Sequence, residues 1–177
     1  MREYQADFLR RVVSPVLRLQ QRTGLPASVV LAQAILESNW GRSLLARRNR
    51  NLFGIKAHTR TNAAAVVYST REYTGGRRRR QKARFAHYPG YEACLEDYAR
   101  LLARPRYASA RAVAANPFAF AVELQRCGYA TDPRYAYKLS ILIRRYNLTQ
   151  FDLPAGLAAE APPTKTRAPA PARVDST

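Results

Sequence analysis

The spacing of apolar residues near the start of the chain predicts a helix. Four apolar positions lie three or four residues apart, which places them on one helical face. These positions are Phe8, Val12, Val16 and Leu19. Pro15 either kinks this helix or starts a new one, because proline has no amide hydrogen to donate.

A second and more apolar helix is predicted to begin near Pro26. It runs through VVLAQAIL into ESNWG, where Gly41 is a helix stop signal. Ser43 can then cap a short third helix, LLARR. An irregular segment, NRNLFGIKAH, is expected after this third helix.

The pattern next changes to β-branched and aromatic residues. The segments AAAVVYSTREY and KARFAHY are typical of strands, and TGGRRRRQ between them holds two glycines suited to a turn. A β-hairpin is therefore predicted in the middle of the chain.

Three further helices are expected after the hairpin. The first spans about 89–102. The second begins at Asn116 and Pro117, and the third at Asp132 and Pro133, because a capping residue followed by proline is a helix start signal. The fold class is therefore α+β and mostly α, a helical bundle with a cleft and one small β-hairpin.

Composition separates this domain from the end of the chain. The segment LPAGLAAEAPPTKTRAPAPARVDST is rich in Pro and Ala and has few bulky apolar side chains. It buries too little surface to offset the entropy lost on ordering. We expect one domain over residues 1–152 and a disordered tail over residues 153–177.

The chain is strongly basic. Its 30 Lys and Arg against 12 Asp and Glu give a net charge of +18. Such a charge favours polyanionic partners, namely nucleic acid, anionic lipid or the acidic cell wall, without choosing among them. Nearly all of these cations are arginine, which a GC-rich genome also favours. Part of the charge is therefore not counted as evidence for a polyanionic partner.

Two cysteines and the N-terminal segment add little chemistry. Cys94 and Cys127 have no metal-ligand or CxxC spacing, so no metal and no cofactor are expected, and two buried free thiols are favoured over a disulfide. The N-terminus lacks the apolar core of a secretory signal peptide, and no stretch is long and apolar enough to span a membrane. Action outside the cytoplasm would need another export route.

Carboxyl groups are the candidate acid–base residues, because burial can raise their pKa. Most of the 12 have an ordinary explanation. Glu92, Glu96 and Asp97 recur at helical spacing among Arg and Tyr, which favours a solvated face. Asp132 is explained as a helix cap.

Glu37 and Glu72 remain. Glu37 lies near the end of the most apolar predicted helix, where an unpaired carboxylate is costly. The pattern leaves open whether it faces a sheltered cleft or pairs with an arginine. Glu72 shares an alternation face with Tyr68 and Thr70 near the hairpin end, which by itself favours an ordinary exposed strand residue.

Four motifs carry a resemblance to a known family. In order they are LPASVVLAQAILESNWGRSLLARRNRNLFGIKA (25–57), YSTREY (68–73), FAHYPGYEACLEDYARLL (85–102) and CGYATDPRYAYKL (127–139). Together they resemble the glucosaminidase-type peptidoglycan hydrolases of glycoside hydrolase family 73, typified by the C-terminal domain of the flagellar rod-assembly muramidase. The resemblance covers about residues 20–145 and implies a lysozyme-like fold with the hairpin over the cleft.

The resemblance also implies roles for individual residues. The family's motif glutamate falls on Glu37, the general acid that protonates the glycosidic oxygen, and its second acidic position falls on Glu72. The tyrosine of GYATDP falls on Tyr129, expected beside the general acid. Aromatic faces stack on sugar rings, so Trp40, Phe53, Tyr73 and Tyr129 are candidates for the sugar subsites, with a place in the core as the alternative for each. Asn51 is also placed at the substrate site.

Two positions depart from the family pattern. Asn39 stands where a small residue, often glycine, is expected, and a helix end should tolerate it. The hairpin turn carries a run of four arginines, Arg77 to Arg80. A solvated turn is the simpler interpretation of that run, with peptidoglycan carboxylates or anionic wall polymers as candidate contacts.

The implied activity is that of an endo-β-N-acetylglucosaminidase, which cleaves the β-1,4 bond between N-acetylglucosamine and N-acetylmuramic acid. A carboxyl separation of about 5 to 5.5 Å indicates retention and about 6.5 to 9.5 Å inversion, and the substrate's 2-acetamido group is a third option. The alternatives are a muramidase or lytic transglycosylase, which cuts the other linkage, and a non-catalytic basic module that binds wall or nucleic acid.

The expected partners follow from this activity. They are peptidoglycan glycan strands, with anionic wall polymers as further candidates, and no nucleic acid is expected. We expect a monomer that acts on the cell wall, in the periplasm or outside the cell.

Overall fold

The structure, a computed structural model, describes residues 1–57, 64–74 and 77–153. Within the strands it does not describe the side chains of residues 64, 69–74 and 77–81. The helices are α1 (Glu3–Thr23), α2 (Ala27–Ser38), α3 (Leu44–Asn49), α4 (Tyr91–Leu102), α5 (Ala108–Ala112), α6 (Pro117–Arg126) and α7 (Tyr135–Arg145), and the strands are β1 (Ala64–Thr74) and β2 (Arg77–His87). Short 3-10 turns lie at Pro105–Tyr107 and Leu148–Phe151. The mostly helical fold with a small antiparallel sheet confirms the predicted fold class.

Helix α1 is continuous through Pro15. Its buried stripe holds Phe8, Val12, Val16 and Leu19, as the spacing predicted. Of the two alternatives for Pro15, the new helix start is therefore wrong. Packing of this stripe stabilises the helix despite the missing backbone hydrogen bond.

Helix α2 is the central helix of the bundle. All of its residues from Ala27 to Ile35 are buried, as expected for a helix that is apolar on every side. It packs against α1, α6, α7 and the turn at Leu148–Phe151. Glu37 lies in its last turn, so the core of the bundle sets the position of this carboxyl group.

The segment after α2 is a left-handed turn. Asn39, Trp40 and Gly41 have φ angles of 51°, 58° and 69°. Left-handed backbone costs about 1 to 2 kcal/mol for a residue with a Cβ, and asparagine tolerates it better than most. Asn39 is thus compatible with this position. The Trp40 ring packs edge-on against Phe8 and Tyr146, which offsets the backbone cost.

Alanine at Gly41 is expected to destabilise the fold by about 2 to 4 kcal/mol, from a strained φ together with core overpacking. A Cβ there would lie 2.8 Å from the buried ring of Phe8. Gly24 is a matched control, because it has the same φ of 69° but open space around the added Cβ. Urea unfolding should show a larger loss for Gly41→Ala than for Gly24→Ala, and equal losses would contradict the collision with Phe8.

The hairpin is anchored to the helical part of the molecule at its base. Its antiparallel register runs from the pair Ala64 and His87 to the pair Thr74 and Arg77, with residues 75 and 76 outside the description. Tyr68 Oη donates to Asn49 Oδ1 at 2.7 Å. Backbone bonds of about 3.0 Å also join β2 to residues 55 and 57. The predicted hairpin is confirmed, and its base borders the segment 53–56.

The later helices differ from prediction in detail. Asn116 caps α6 as expected, with Oδ1 accepting from the amides of Phe118 and Ala119. Helix α7 begins at Tyr135, later than predicted, because residues 133 and 134 form a turn in which Asp132 Oδ1 accepts from the Arg134 amide at 2.9 Å. Helix α5 was not predicted, since its short sequence ASARA has no periodic pattern.

The three acidic residues of α4 do not share one solvated face. Glu92 and Glu96 are on the surface, paired with Arg18 and Arg22. Asp97 is buried, and its Oδ2 accepts a 2.6 Å hydrogen bond from Tyr88 Oη. The prediction of a solvated position for Asp97 is therefore wrong, because a tyrosine hydroxyl from the chain just before α4 pairs with it.

Other expectations have mixed outcomes. Cys94 and Cys127 are free thiols, as predicted, but only Cys94 is buried, and Cys127 is partly exposed. Burial raises the pKa of Cys94 to about 12. In the described residues, no helix is long and apolar enough to cross a membrane. Of the predicted tail, residues 153–177, the structure describes only Leu153, so that prediction stays untested.

Candidate active site

Glu37 faces a cleft and accepts a hydrogen bond from helix α7. The Tyr135 hydroxyl donates to its Oε1 at 3.1 Å. Within the part of the chain that the structure describes, no ion pair joins Glu37 to an arginine. Of the two interpretations left open by the sequence, the sheltered cleft is therefore the one that the structure favours.

The surroundings of Glu37 favour its protonated form. Although the residue is exposed to the cleft, the protein around the carboxyl group displaces part of its water, and this desolvation raises the pKa. The hydrogen bond from Tyr135 and the charge of Lys138 oppose the shift. The net direction is upward, which suits a group that donates a proton near neutral pH.

The cleft has a volume of about 470 Å³. It combines two acidic residues, Glu37 from the last turn of α2 and Asp97 from α4, with apolar, aromatic and basic side chains. Its lining residues are Glu37, Phe53, Gly54, Ile55, Lys56, Asp97, Arg100, Leu101, Arg104, Tyr107, Tyr129 and Ala130. Such a mixture of apolar faces and a few placed polar groups is typical of a ligand-binding cleft.

A buried hydrogen-bond chain holds Tyr135 against Glu37. Tyr98 Oη donates to Gln33 Oε1, and Gln33 Nε2 donates to Tyr135 Oη at 2.8 Å. Tyr98 and Gln33 are fully buried. Because each member has its partner, Tyr135 Oη is left with its own proton directed at Glu37.

Tyr129 lies in the cleft but does not itself bond Glu37. Its ring stacks on Tyr135, with centroids 5.6 Å apart and planes 23° apart, and it also contacts Tyr98 and Tyr107. Burial raises its pKa well above the ordinary value, so the hydroxyl stays protonated. Tyr129 therefore supports Tyr135 by stacking and offers a neutral phenol to the cleft.

Arg106 fixes the backbone just before Tyr129. Its Nε donates to the Cys127 carbonyl at 3.1 Å, and its Nη2 donates to the carbonyls of Cys127 and Gly128. A Cβ at Gly128, where φ is 71°, would lie 2.8 Å from Arg106 Nη2. The guanidinium thus stabilises the turn that follows α6 and positions Tyr129.

Two of the residues predicted to bind substrate lie elsewhere. Trp40 is buried between Phe8 and Tyr146, away from the cleft lining. Asn51 is fully buried, and its amide bonds the Ile55 backbone and the Ala86 carbonyl, so it fastens the hairpin base. Both side chains have structural partners that sequence spacing does not reveal.

The remaining predicted site residues divide into two sets. Phe53 lines the cleft and stacks on Tyr98, with ring centroids 4.2 Å apart. Glu72 and Tyr73 lie on β1, but their side chains, like those of Arg77 to Arg80, are outside the described part of the molecule. Their roles stay predictions.

Sequence reasoning missed Tyr135 and Gln33. A signal for Gln33 existed, because it lies four residues before Glu37 and so one helical turn away on the same face. Tyr135 had no comparable signal. Its contact with Glu37 joins positions 98 residues apart and depends on how α7 packs against α2.

Comparison with known proteins agrees with this geometry. Residues 14–148 match the glucosaminidase family, described as mannosyl-glycoprotein endo-beta-N-acetylglucosaminidase. The chain belongs to the glucosaminidase family. The sequence-based assignment to glycoside hydrolase family 73 is thereby confirmed at the level of the family.

Two relatives match most of this chain. Peptidoglycan hydrolase FlgJ of Salmonella typhimurium is 41% identical over 144 residues, which are 78% of this chain and 45% of FlgJ. Exo-glucosaminidase LytG of Bacillus subtilis is 37% identical over 130 residues, which are 71% of this chain and 45% of LytG. The chain thus spans less than half the length of these two relatives.

A solved structure shows the same architecture. The catalytic domain of the autolysin Auto from Listeria monocytogenes superimposes with a TM-score of 0.76 at 38% identity. The match covers 86% of this chain and 89% of that domain. The fold around Glu37 is therefore that of the Auto catalytic domain.

Proposed function

We propose that this domain is a peptidoglycan hydrolase, an endo-β-N-acetylglucosaminidase with Glu37 as its general acid. The observation that carries the proposal is the Glu37 carboxyl group, held by Tyr135 at an aromatic-lined cleft in a glucosaminidase fold. The family acts on the cell wall, and we place this domain there, in the periplasm or outside the cell, as a monomer on glycan strands.

In the proposed reaction, protonated Glu37 donates its proton to the glycosidic oxygen as the bond breaks. Tyr135 then donates a hydrogen bond to the carboxylate that forms, which stabilises the charge. Phe53 and Tyr129 line the cleft and supply apolar surface for sugar rings. The sheltered cleft therefore supplies the acid and part of the binding surface.

The second group in the reaction is proposed to be Glu72 on the hairpin. The support is the sequence resemblance, together with the hairpin base that borders the cleft through residues 53–56. Acting as a base, Glu72 would activate a water molecule that attacks the sugar. In the alternative mechanism, the substrate's own 2-acetamido group is the nucleophile in place of that water.

The reducing ends of the products test the linkage that is cut. Digestion of purified peptidoglycan followed by mass spectrometry should give N-acetylglucosamine reducing ends. Reducing N-acetylmuramic acid would indicate a muramidase instead, and its anhydro form a lytic transglycosylase. Absence of any cleavage, combined with salt-sensitive DNA binding, would favour the basic binding module.

Replacing Glu72 by glutamine should lower turnover on purified peptidoglycan by about 10² or more if its carboxylate is the base. A turbidity assay at several pH values measures the effect. Tyr68→Phe is a control on the same strand, because it removes the hydroxyl that bonds Asn49 without removing a carboxylate. Wild-type turnover in Glu72→Gln would leave the acetamido group as the second participant.

Replacing Tyr135 by phenylalanine should move the alkaline limb of the activity profile to higher pH. The Tyr135 hydrogen bond lowers the pKa of Glu37, so its loss raises that pKa, and the active protonated acid persists to higher pH. Turnover at the optimum should fall by about tenfold because the carboxylate product loses a donor. An unchanged profile of kcat against pH would contradict this role.

A further inference from the structure

The cleft that holds Glu37 also carries an excess of positive charge. Its lining includes three cations, Lys56, Arg100 and Arg104, and one carboxylate besides Glu37, that of Asp97. A chain of neutral sugars offers Arg100 and Arg104 hydroxyl and amide acceptors but no opposite charge. Their presence therefore points to an anionic group on the ligand.

Arg100 lies in the last turn of α4, and Arg104 lies two residues after that helix ends. Arg100 donates to Asp97 Oδ1 at 3.3 Å and is 67% exposed, so most of its guanidinium faces solvent. Asp97 also accepts the 2.6 Å hydrogen bond from Tyr88 Oη, so Arg100 is not the only hydrogen-bond partner of this buried carboxylate. Arg100 therefore keeps donors for a further partner.

Arg104 is the more available of the two. Its backbone carbonyl accepts from Arg111 Nη1 at 3.0 Å, which holds the residue in place. Its guanidinium has no hydrogen bond or ion pair with any residue that the structure describes. A planar guanidinium held at a cleft suits a carboxylate, which it can bind through two parallel hydrogen bonds.

Muramoyl residues are the part of a peptidoglycan strand that bears carboxylates. Each carries a lactyl group, which either has a free carboxylate or is joined to a peptide with its own carboxylates. N-acetylglucosamine has neither. We propose that Arg100 and Arg104 bind a carboxylate on the lactyl or peptide arm of the muramoyl residue and so distinguish peptidoglycan from a neutral glycan. This inference rests on the proposed function, since it specifies the substrate of the same cleft.

Binding by a chain that cannot cleave tests this assignment. In the Glu37→Gln background, calorimetry compares three probes: a peptidoglycan tetrasaccharide with its peptides, the same tetrasaccharide stripped of peptides, and neutral chitotetraose. Adding Arg104→Gln should weaken binding of the intact probe about tenfold and leave chitotetraose unchanged. Added salt should weaken only the carboxylate-bearing probes.

Arg18→Gln is the matched control. It removes the same single charge, but Arg18 lies on α1, paired with Glu92 and outside the cleft lining. This variant should bind all three probes as its parent does. The contrast separates a local contact from the general attraction of a basic protein.

The outcomes are distinct. A loss on the stripped probe alone assigns the free lactyl carboxylate, a loss on the intact probe alone assigns the peptide carboxylates, and a loss on both shows that Arg104 binds either one. Equal loss on chitotetraose, or no loss on any probe, overturns the assignment. Cleavage of peptidoglycan by the wild-type chain is measured separately, so failure of the proposed hydrolysis is seen independently of Arg104.

Discussion

Glu37→Gln is expected to lower turnover on purified peptidoglycan by about 10² to 10⁴-fold, the range supplied by a general acid. The glutamine carbonyl can still accept the Tyr135 hydroxyl, so the hydrogen-bond chain behind it should persist. Release of reducing ends measures the loss. Glu96→Gln is the control, because Glu96 pairs with Arg22 on the surface of α4 and should keep wild-type turnover.

The same substitution should stabilise the fold at neutral pH. Burial raises the pKa of Glu37 in the folded state, so the native protein loses stability as pH rises from the ordinary pKa through the raised one. Glutamine removes this loss. The melting temperature of Glu37→Gln should therefore exceed that of the wild type at pH 7, and the difference should vanish at acid pH.

Two results would contradict this account of Glu37. Wild-type lysis by Glu37→Gln would remove it from the chemistry. A lower melting temperature at pH 7, with normal circular dichroism, would mean that the carboxylate is a structural partner and not a strained acid.

Gln33→Leu is expected to destabilise the protein by about 2 to 4 kcal/mol, since buried hydroxyl groups that lose a partner cost about 1 to 3 kcal/mol each. Tyr98 Oη would lose its acceptor, and Tyr135 Oη would lose the donor that orients it. Urea unfolding measures the change. Turnover should fall as well, because Tyr135 would no longer be held against Glu37.

A double-mutant cycle with Tyr98→Phe isolates the hydrogen bond from the change in shape. Phenylalanine removes the hydroxyl that Gln33→Leu leaves unpaired, so the double variant should recover part of the lost stability. Additive losses would show that Gln33 and Tyr98 act independently. A loss below about 0.5 kcal/mol for Gln33→Leu, the level of an unremarkable surface change, would contradict the network.

Local sequence signals predicted the elements that carry the site. The apolar run of α2, the Asn116 cap and the change of period at the hairpin each depend on neighbouring residues, and each is present in the structure. Glu37 was found in the same way, as an acid out of place in an apolar helix. These features need no knowledge of distant contacts.

Long-range contacts account for what the sequence did not reveal. Asp97 is buried because Tyr88 donates to it, and Asn51 is structural because its amide bonds Ala86. Tyr135 reaches Glu37 only through the packing of α7 on α2. In each case the residue type was visible, but its partner is set by the fold.

Trp40 has a practical consequence for all of these measurements. It is the chain's single tryptophan, 8% exposed and enclosed by Phe8 and Tyr146, outside the lining of the cleft. Its fluorescence emission should therefore shift to longer wavelength on unfolding, yet stay constant when a glycan enters the cleft. The molecule thus contains an intrinsic optical reporter that separates loss of folding from occupation of the site.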